Sequence, residues 1–435
     1  MWDYYAGKSI LITGASGFLG TALVHRILSQ APGSHLYLIC RSGPAVIEEQ
    51  WRQHLAPKLI EILYDPQTVT LLQGDITLPQ MGLSDETASM IQSRVDIIIH
   101  AASTINLAQP LHRISDPIIA ASVKMADFAM QCKQLQRFVY VSTAYTNSFL
   151  SAETDQVDVH IDEAMYTLAK GHNGDAWDEW AEIQQDGSSE EFRRHDFPWH
   201  YAYAKHLTER LLLRIFTDAN QAEKLLILRP SIVSPAQTFP YKAYCMPFST
   251  PGVMITAGVL LCPSRRLLMS SKAEDPNTQA TIDEVPVDVV VDRLLAHLAA
   301  GSHGPVHAVS GKNARFTIDT YWSEAMRYRQ LPWSMQPAWT KANWHSRILH
   351  RLARIYVIFG TSYDFDDAKT IDLWERLEME HRAGLELFTR GYGKDYEIGS
   401  RMHHVLSVMN RLSRRHWLVW ILLWLFYTSS ALSST

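Results

Sequence analysis

The chain has 435 residues, a net charge of −5, and 47% hydrophobic against 20% charged residues. That length is more than one small core needs and suits one large domain plus an appendage. The balance is that of an ordinary globular protein, and the acidic charge without a basic stripe speaks against a nucleic-acid binder. Four scattered cysteines with no Cys-x-x-Cys pair speak against a disulfide frame or a zinc site. Residues 1–12 lack the long apolar core of a signal peptide, so a cytosolic catalytic body is expected.

The apolar run Lys8–Ile12 leads into Thr13-Gly-Ala-Ser-Gly-Phe-Leu-Gly20 and then the helix-like stretch Thr21–Gln30. Strand, glycine turn, helix is the context that turns glycine spacing into a dinucleotide site. Gly14 permits the tight turn, Gly17 lets the backbone approach a pyrophosphate, and Gly20 allows close helix–strand packing. Free amides at the helix start then face the phosphates. After the next run, Leu36–Cys40, comes Arg41, and no Asp or Glu occurs between Gly20 and Glu48. An arginine there suits a ribose 2′-phosphate, because its fork makes charge-assisted bonds to phosphate oxygens. NADPH is the expected cofactor, and reduction the expected direction.

Further short apolar runs follow at Val69–Leu72, Val95–His100, Phe138–Ser142 and Leu225–Leu228, with helical stretches between them. The alternation predicts an α/β fold, a Rossmann-type doubly wound parallel sheet covered on both faces. Between Ser151 and His200 the pattern breaks, with thirteen acidic and three basic residues. This reads as a surface insertion, either a solvated loop or a lid over the site. From about Tyr321 the segments turn tryptophan-rich and helical. Ser346–Phe359 carries apolar residues at helical spacing with Arg347, Arg351 and Arg354 between them. The expected division is residues 1–320 and a mostly helical C-terminal domain, 321–435.

The chemistry should sit at the carboxyl ends of the strands, where open α/β folds bind ligands. Val139-Tyr-Val-Ser-Thr143 brings Ser142 and Thr143 there. Tyr201-Ala-Tyr-Ala-Lys205 opens an amphipathic helix, and the i, i+4 spacing puts Tyr201 and Lys205 on one face. An ammonium beside the ring should lower the tyrosine's pKa, letting it protonate a carbonyl oxygen. Thr143 would orient that oxygen. Tyr203 is expected to pack, and His100 to be a buried, hydrogen-bonded histidine.

These motifs resemble the extended short-chain dehydrogenase/reductases, and most of all the fatty acyl-CoA reductase (male-sterility-type) family. The resemblance runs through Thr13–Gly20, Gly74-Asp-Ile76, Ile99-His-Ala-Ala102, Val141-Ser-Thr-Ala-Tyr145, Tyr201–Lys205, Leu228-Arg-Pro-Ser-Ile-Val233 and Val285-Pro-Val-Asp288. It extends to Phe365-Asp366-Asp367 and Met379–Phe388. It implies a cofactor site of Thr13, Gly14, Gly17, Phe18, Leu19, Gly20, Arg41, Asp75, Ile76, Tyr201, Lys205, Pro230, Ile232 and Val233, and a catalytic triad of Thr143, Tyr201 and Lys205. It also implies NADPH-dependent reduction of a long-chain acyl-CoA, or an acyl-carrier-protein thioester, to the aldehyde and then the primary alcohol. Two departures stand out: Ser122 occupies the place of a relay asparagine, and Pro251-Gly-Val253 lacks an expected tryptophan.

The rival readings are a hydroxysteroid-type or sugar-nucleotide dehydrogenase/epimerase, and a non-catalytic NADP-sensing protein. No metal site is expected. The run Trp417–Tyr427, extended to Leu432, follows Arg411, Arg414, Arg415 and His416. It predicts an interfacial or tail-anchored helix on the cytosolic face of an intracellular membrane such as the endoplasmic reticulum, or else a helix docked on the protein.

Overall fold

The computed structural model describes residues 1–168, 175–329 and 331–415. The apolar tail at 417–432 lies outside the described residues.

Seven parallel strands form the central sheet: β1 (Ser9–Thr13), β2 (His35–Cys40), β3 (Val69–Gln73), β4 (Ile97–His100), β5 (Arg137–Val141), β6 (Leu225–Pro230) and β7 (Gly304–Ala308). Their order is β7-β6-β5-β4-β1-β2-β3. The chain therefore builds outward through β3, returns beside β1 with β4, and builds outward the other way. The reversal opens a crevice between the carboxyl ends of β1 and β4, where Thr13 pairs in register with His100. Six of the seven strands lie on runs legible in the sequence. The seventh, Gly304-Pro-Val-His-Ala308, holds a proline and borders only β6, and an edge strand tolerates the missing amide.

Strands β4 and β5 are buried along their whole length, as a sheet covered on both faces requires. One face packs against α1 (Phe18–Gln30), through Ala22, Leu23 and Ile27, and against a second helix, Val287–Ala299, through Val291, Leu294 and Leu298. The other face is covered by α2 (Ala121–Met130) with Met125 and Phe128, and by α3 (His200–Asp218) with Leu212 and Phe216. Just before α2, residues Asp116–Ala120 make a π-helical turn that runs on into it. Helix α3 is pinned to the sheet by a buried ion pair: Arg229 Nε and a terminal nitrogen donate to both carboxylate oxygens of Glu209, at 3.0 and 2.6 Å. A two-point charge pair of this kind fixes the rotation of the helix as well as its position.

In its described residues the acidic stretch 151–200 is packed into the fold rather than a solvated loop. Its strand Asp158–Ile161 pairs in parallel with Ser362–Phe365, and Trp180, Ile183, Phe197 and Trp199 join the largest apolar core. Its carboxylates serve internal contacts: Glu179 takes both terminal nitrogens of Arg210 at 2.6 Å, and Glu163 accepts from the backbone amides of His307 and Lys369. Residues after Tyr321 are laced into the same body. Gln336–Thr340 pairs with Arg266–Ser270, and Met402–Arg415 packs on Pro251–Leu261. The periodicity over Ser346–Phe359 does not give one helix. It breaks into turns, a short helix Arg351–Ile355 and a 3₁₀ turn Val357–Gly360.

Candidate active site at the carboxyl edge

The glycine turn after β1 is shaped by contacts that admit no side chain. Gly14 has φ +78°, and a Cβ there would lie 2.8 Å from Ala102 N. At Gly20 a Cβ would meet the Gly14 carbonyl oxygen at 2.1 Å, so only glycine lets α1 start this close to the turn. Gly17 is the N-cap of α1, no side chain caps the helix, and its first turn holds no carboxylate. Amides left unsatisfied at a helix start, with no competing anion, suit a pyrophosphate. The residues present therefore fit a dinucleotide. Phe18 is buried, its ring 5.4 Å from that of Tyr244, while Leu19 stays partly open.

The turn is tied to β4 by a directional network. Ser122 Oγ donates to the Ile118 carbonyl at 2.6 Å, so it accepts from His100 Nε2 at 3.1 Å. His100 Nδ1 then accepts from Thr13 Oγ1 at 2.8 Å, and Thr13 Oγ1 accepts from the Ala102 amide at 3.2 Å. Burial, with Lys205 close by, pushes His100 down to about 3, so the ring stays neutral and this tautomer holds. Ser122, where a relay asparagine was expected, thus orients His100. Only the folded contacts reveal that role.

Arg41 lies exposed just past β2, and its charge helps to hold the Asp75 carboxyl below the usual carboxylate range, after the larger effect of the Thr77 amide. Asp75 accepts from Thr77 N and Oγ1 at 2.9 and 2.8 Å, which stiffens the turn beyond β3. Ile76 packs beside it on the sheet's second core. At the other side of the crevice Pro230 and Ile232 are buried and Val233 is half-buried.

Thr143 follows the end of β5 as the N-cap of the turn Ala144–Ser151, and α3, which carries Tyr201 and Lys205 near its start, packs against that turn. Lys205 Nζ is buried, donates to the Val141 carbonyl at 2.9 Å, and lies 4.6 Å from the ring centre of Tyr140 and 5.9 Å from that of Tyr201. Burial brings this lysine down from 10.5 to about 7, partly opposed by Glu209. Thr143 Oγ1 accepts from Tyr145 N at 3.3 Å and donates to the Pro230 carbonyl at 3.4 Å, both long enough for a better partner to displace. The expected lowering of Tyr201 by Lys205 is not found. Burial instead pushes the phenol well above the ordinary tyrosine value, because the ammonium faces Val141 and Tyr140 rather than the hydroxyl. Tyr203 does more than pack: its hydroxyl donates to Glu179 at 2.8 Å and contacts Ser189, so it fastens the acidic stretch to α3.

All four cysteines are buried and free, and burial raises Cys40 to about 11 and Cys132 to about 12. Such thiols are poor nucleophiles. No His/Cys/Asp/Glu cluster among the described residues could hold a metal.

A family model described as "Male sterility protein" matches residues 12–294, well over half of the chain. The chain belongs to that family. Curated relatives of this family member include fatty acyl-CoA reductase 1 of Rattus norvegicus, 29% identical over 304 residues, covering 68% of this chain and 55% of the relative. A putative fatty acyl-CoA reductase of Drosophila melanogaster, CG8306, is 28% identical over 308 residues, covering 67% and 55%. The chain thus spans about half the length of the curated relatives it matches. Two solved structures share the family member's fold. The terminal R domain from the myxalamid PKS-NRPS biosynthetic pathway has a TM-score of 0.60 at 17% identity, covering 95% of this chain and 92% of that one. Yeast methylglyoxal/isovaleraldehyde reductase Gre2, complexed with NADPH, has a TM-score of 0.57 at 14% identity, covering 93% and 99%.

Proposed function

We propose that the protein reduces a long-chain acyl thioester, acyl-CoA, to the aldehyde and then the primary alcohol, with NADPH as cofactor. The observation that carries this reading is a half-buried Tyr201, kept protonated by desolvation, one turn from the buried Lys205 on α3, at the same carboxyl edge of the sheet as Thr143 and the glycine turn after β1. When bound, the dinucleotide supplies the hydride. The turn Thr13–Gly20, Arg41, Asp75 and Ile76 would hold one end, and Pro230, Ile232 and Val233 would line the other.

The protein's own groups handle the oxygen and the proton. Thr143 Oγ1 turns from the Pro230 carbonyl to the substrate's carbonyl oxygen and bears part of its developing charge. Tyr201, kept protonated by burial, donates to that oxygen as general acid. Lys205 Nζ, held by the Val141 carbonyl 5.9 Å from the Tyr201 ring centre, places positive charge at the edge where the substrate oxygen becomes anionic. Names of the curated relatives support an acyl-CoA substrate, and Arg41 favours the 2′-phosphate of NADPH over NADH. The tail at 417–432 would hold this body at the cytosolic face of an intracellular membrane. Among the described residues no helix is long and apolar enough to cross one.

The test is incubation of purified protein with NADPH and acyl-CoAs of graded chain length, with products identified by mass spectrometry. Free CoA with aldehyde or alcohol supports the reading. Oxidation of a secondary alcohol or epimerisation of a sugar nucleotide, with thioesters untouched, would replace it.

A further inference from the structure

The segment from Asn343 to Ile355 is anchored at both ends beside the catalytic helix. Asp196 accepts from Asn343 Nδ2 at 2.7 Å and from Trp344 Nε1 at 3.0 Å, and lies 2.9 Å from His345 Nε2. At the other end Trp199 Nε1 donates to the Ile355 carbonyl at 2.8 Å. Trp199 is the N-cap of α3, two residues before Tyr201, and its ring lies 6.1 Å from that of Tyr145. Leu349 and Ala353 are buried, and Leu352 reaches helix Pro251–Leu261 at Gly258, so the backbone of this segment is fixed.

What the segment leaves outside is cationic. Arg347, Arg351 and Arg354 are all exposed, next to Ile348 at 62% exposure. None of the three forms an ion pair among the described residues, although the chain as a whole is acidic at −5. Arg351 and Arg354 both lie close enough to His350 to disfavour its charged form, after the larger effect of burial. At the adjoining start of α3, His345 and His112 act likewise on His200, again after burial. Among the described residues the three arginines thus sit without carboxylate partners on a rim fixed beside the start of α3 through Trp199, unlike the paired arginines elsewhere in the fold. A rim of this kind lowers its self-repulsion by taking up a polyanion, and arginine forks match phosphate oxygens two at a time.

We propose that Arg347, Arg351 and Arg354 dock the phosphates of coenzyme A, its 3′-phosphate and pyrophosphate, while the pantetheine arm runs past Trp199 to Tyr201. The inference rests on the thioester reading above. It names the occupant as the free nucleotide carrier rather than an acidic carrier protein.

The experiment uses the full chain with Arg351→Ala, Arg354→Ala, the double variant and the matching lysine double variant, each checked for native circular dichroism. Calorimetric titration with CoA and with dephospho-CoA reads binding directly. Kinetics compare one acyl chain carried on CoA, on pantetheine, which lacks phosphate, and on acyl-carrier protein. Each arginine contributes charge-assisted bonds, so the double alanine variant should weaken CoA binding by roughly tenfold or more, with partial recovery in the lysine pair. The wild-type preference for acyl-CoA over acyl-pantetheine should shrink by a similar factor, through KM. Unchanged CoA affinity overturns the proposal, as does an equal rise in KM for acyl-pantetheine. A loss confined to the acyl-carrier-protein substrate, or to binding of phosphatidylserine vesicles, overturns the assigned occupant. If CoA affinity falls as expected but no thioester is reduced, the docking site stands and the catalytic reading fails.

Discussion

Replacing Lys205 with methionine separates the lysine's chemical value from its energetic cost. The side chain is 2% exposed, and burial carries its pKa from 10.5 to about 7. At about 1.36 kcal/mol per pH unit, the charged form costs the folded state roughly 4–5 kcal/mol at and below pH 7. Methionine keeps an unbranched stem of similar length and removes that charge. It also loses the bond to the Val141 carbonyl, which as a charged hydrogen bond is worth about 1.5–3 kcal/mol. The net expectation at pH 7 is a gain in stability of about 1–3 kcal/mol together with loss of activity. The pH dependence is the sharper signature. Between about pH 7 and 10.5 the unfolded chain keeps a proton on this lysine that the folded chain has released. Wild-type stability therefore rises with pH across that window, by up to about 1.4 kcal/mol per unit from this group alone. The variant lacks that slope, so its advantage should fade and reverse by pH 9.5. Urea unfolding of both proteins, followed by tryptophan fluorescence from pH 6.5 to 9.5, reads the difference, in which other titrating groups cancel. A gap that stays constant with pH, or a variant less stable at every pH, would refute the reasoning.

Arg41→Ala should raise the KM for NADPH roughly tenfold or more while barely moving that for NADH, because only the former carries the phosphate the fork would grip; equal use of both cofactors by wild type would count against the assignment. Tyr201→Phe should leave folding and cofactor affinity in place and slow aldehyde reduction by about 10²–10⁴-fold in single-turnover assays. Gly20→Ala should abolish cofactor binding or folding, since its Cβ would sit 2.1 Å from the Gly14 carbonyl oxygen, and fluorescence titration with NADPH would show a loss far beyond a helix-propensity change. Deleting residues 414–435 should move the protein from the membrane fraction to the supernatant; a full-length protein that is already soluble would remove the anchor from the account.

What the sequence made legible was the part governed by local rules. Glycines 14, 17 and 20 report backbone approach directly, and continuous apolar runs report strands buried on both faces, so the nucleotide half of the sheet could be read in order. The 3.6-residue period likewise placed Tyr201 and Lys205 on one helix face. Pairings across long separations were not legible. Asp158–Ile161 meets Ser362–Phe365 some two hundred residues later, and nothing in the acidic composition of 151–200 signals that its carboxylates serve Arg210, His307 and Lys369. The direction of Tyr201's titration also escaped. Spacing puts a lysine beside the ring, but only the fold shows the ammonium turned to Val141 and Tyr140, leaving desolvation to prevail. Ser122 illustrates the same limit. Its value lies in the partner it orients, and His100, 22 residues earlier, is adjacent only because α2 packs on β4.

The central claim is that this carboxyl edge reduces a thioester by donating a proton from Tyr201 to its carbonyl oxygen. The most direct measurement is rapid-mix single turnover of wild type and Tyr201→Phe with NADPH and a long-chain acyl-CoA, quantifying free CoA, aldehyde and alcohol together. The account predicts that wild type releases CoA and yields aldehyde and then alcohol, consuming NADPH at each step. In folded Tyr201→Phe the alcohol step should be slowed at least a hundredfold and CoA release by a smaller factor, since thiolate leaves far more readily than alkoxide. Wild-type rates in the variant, or no CoA release by the native protein at any chain length, would contradict it.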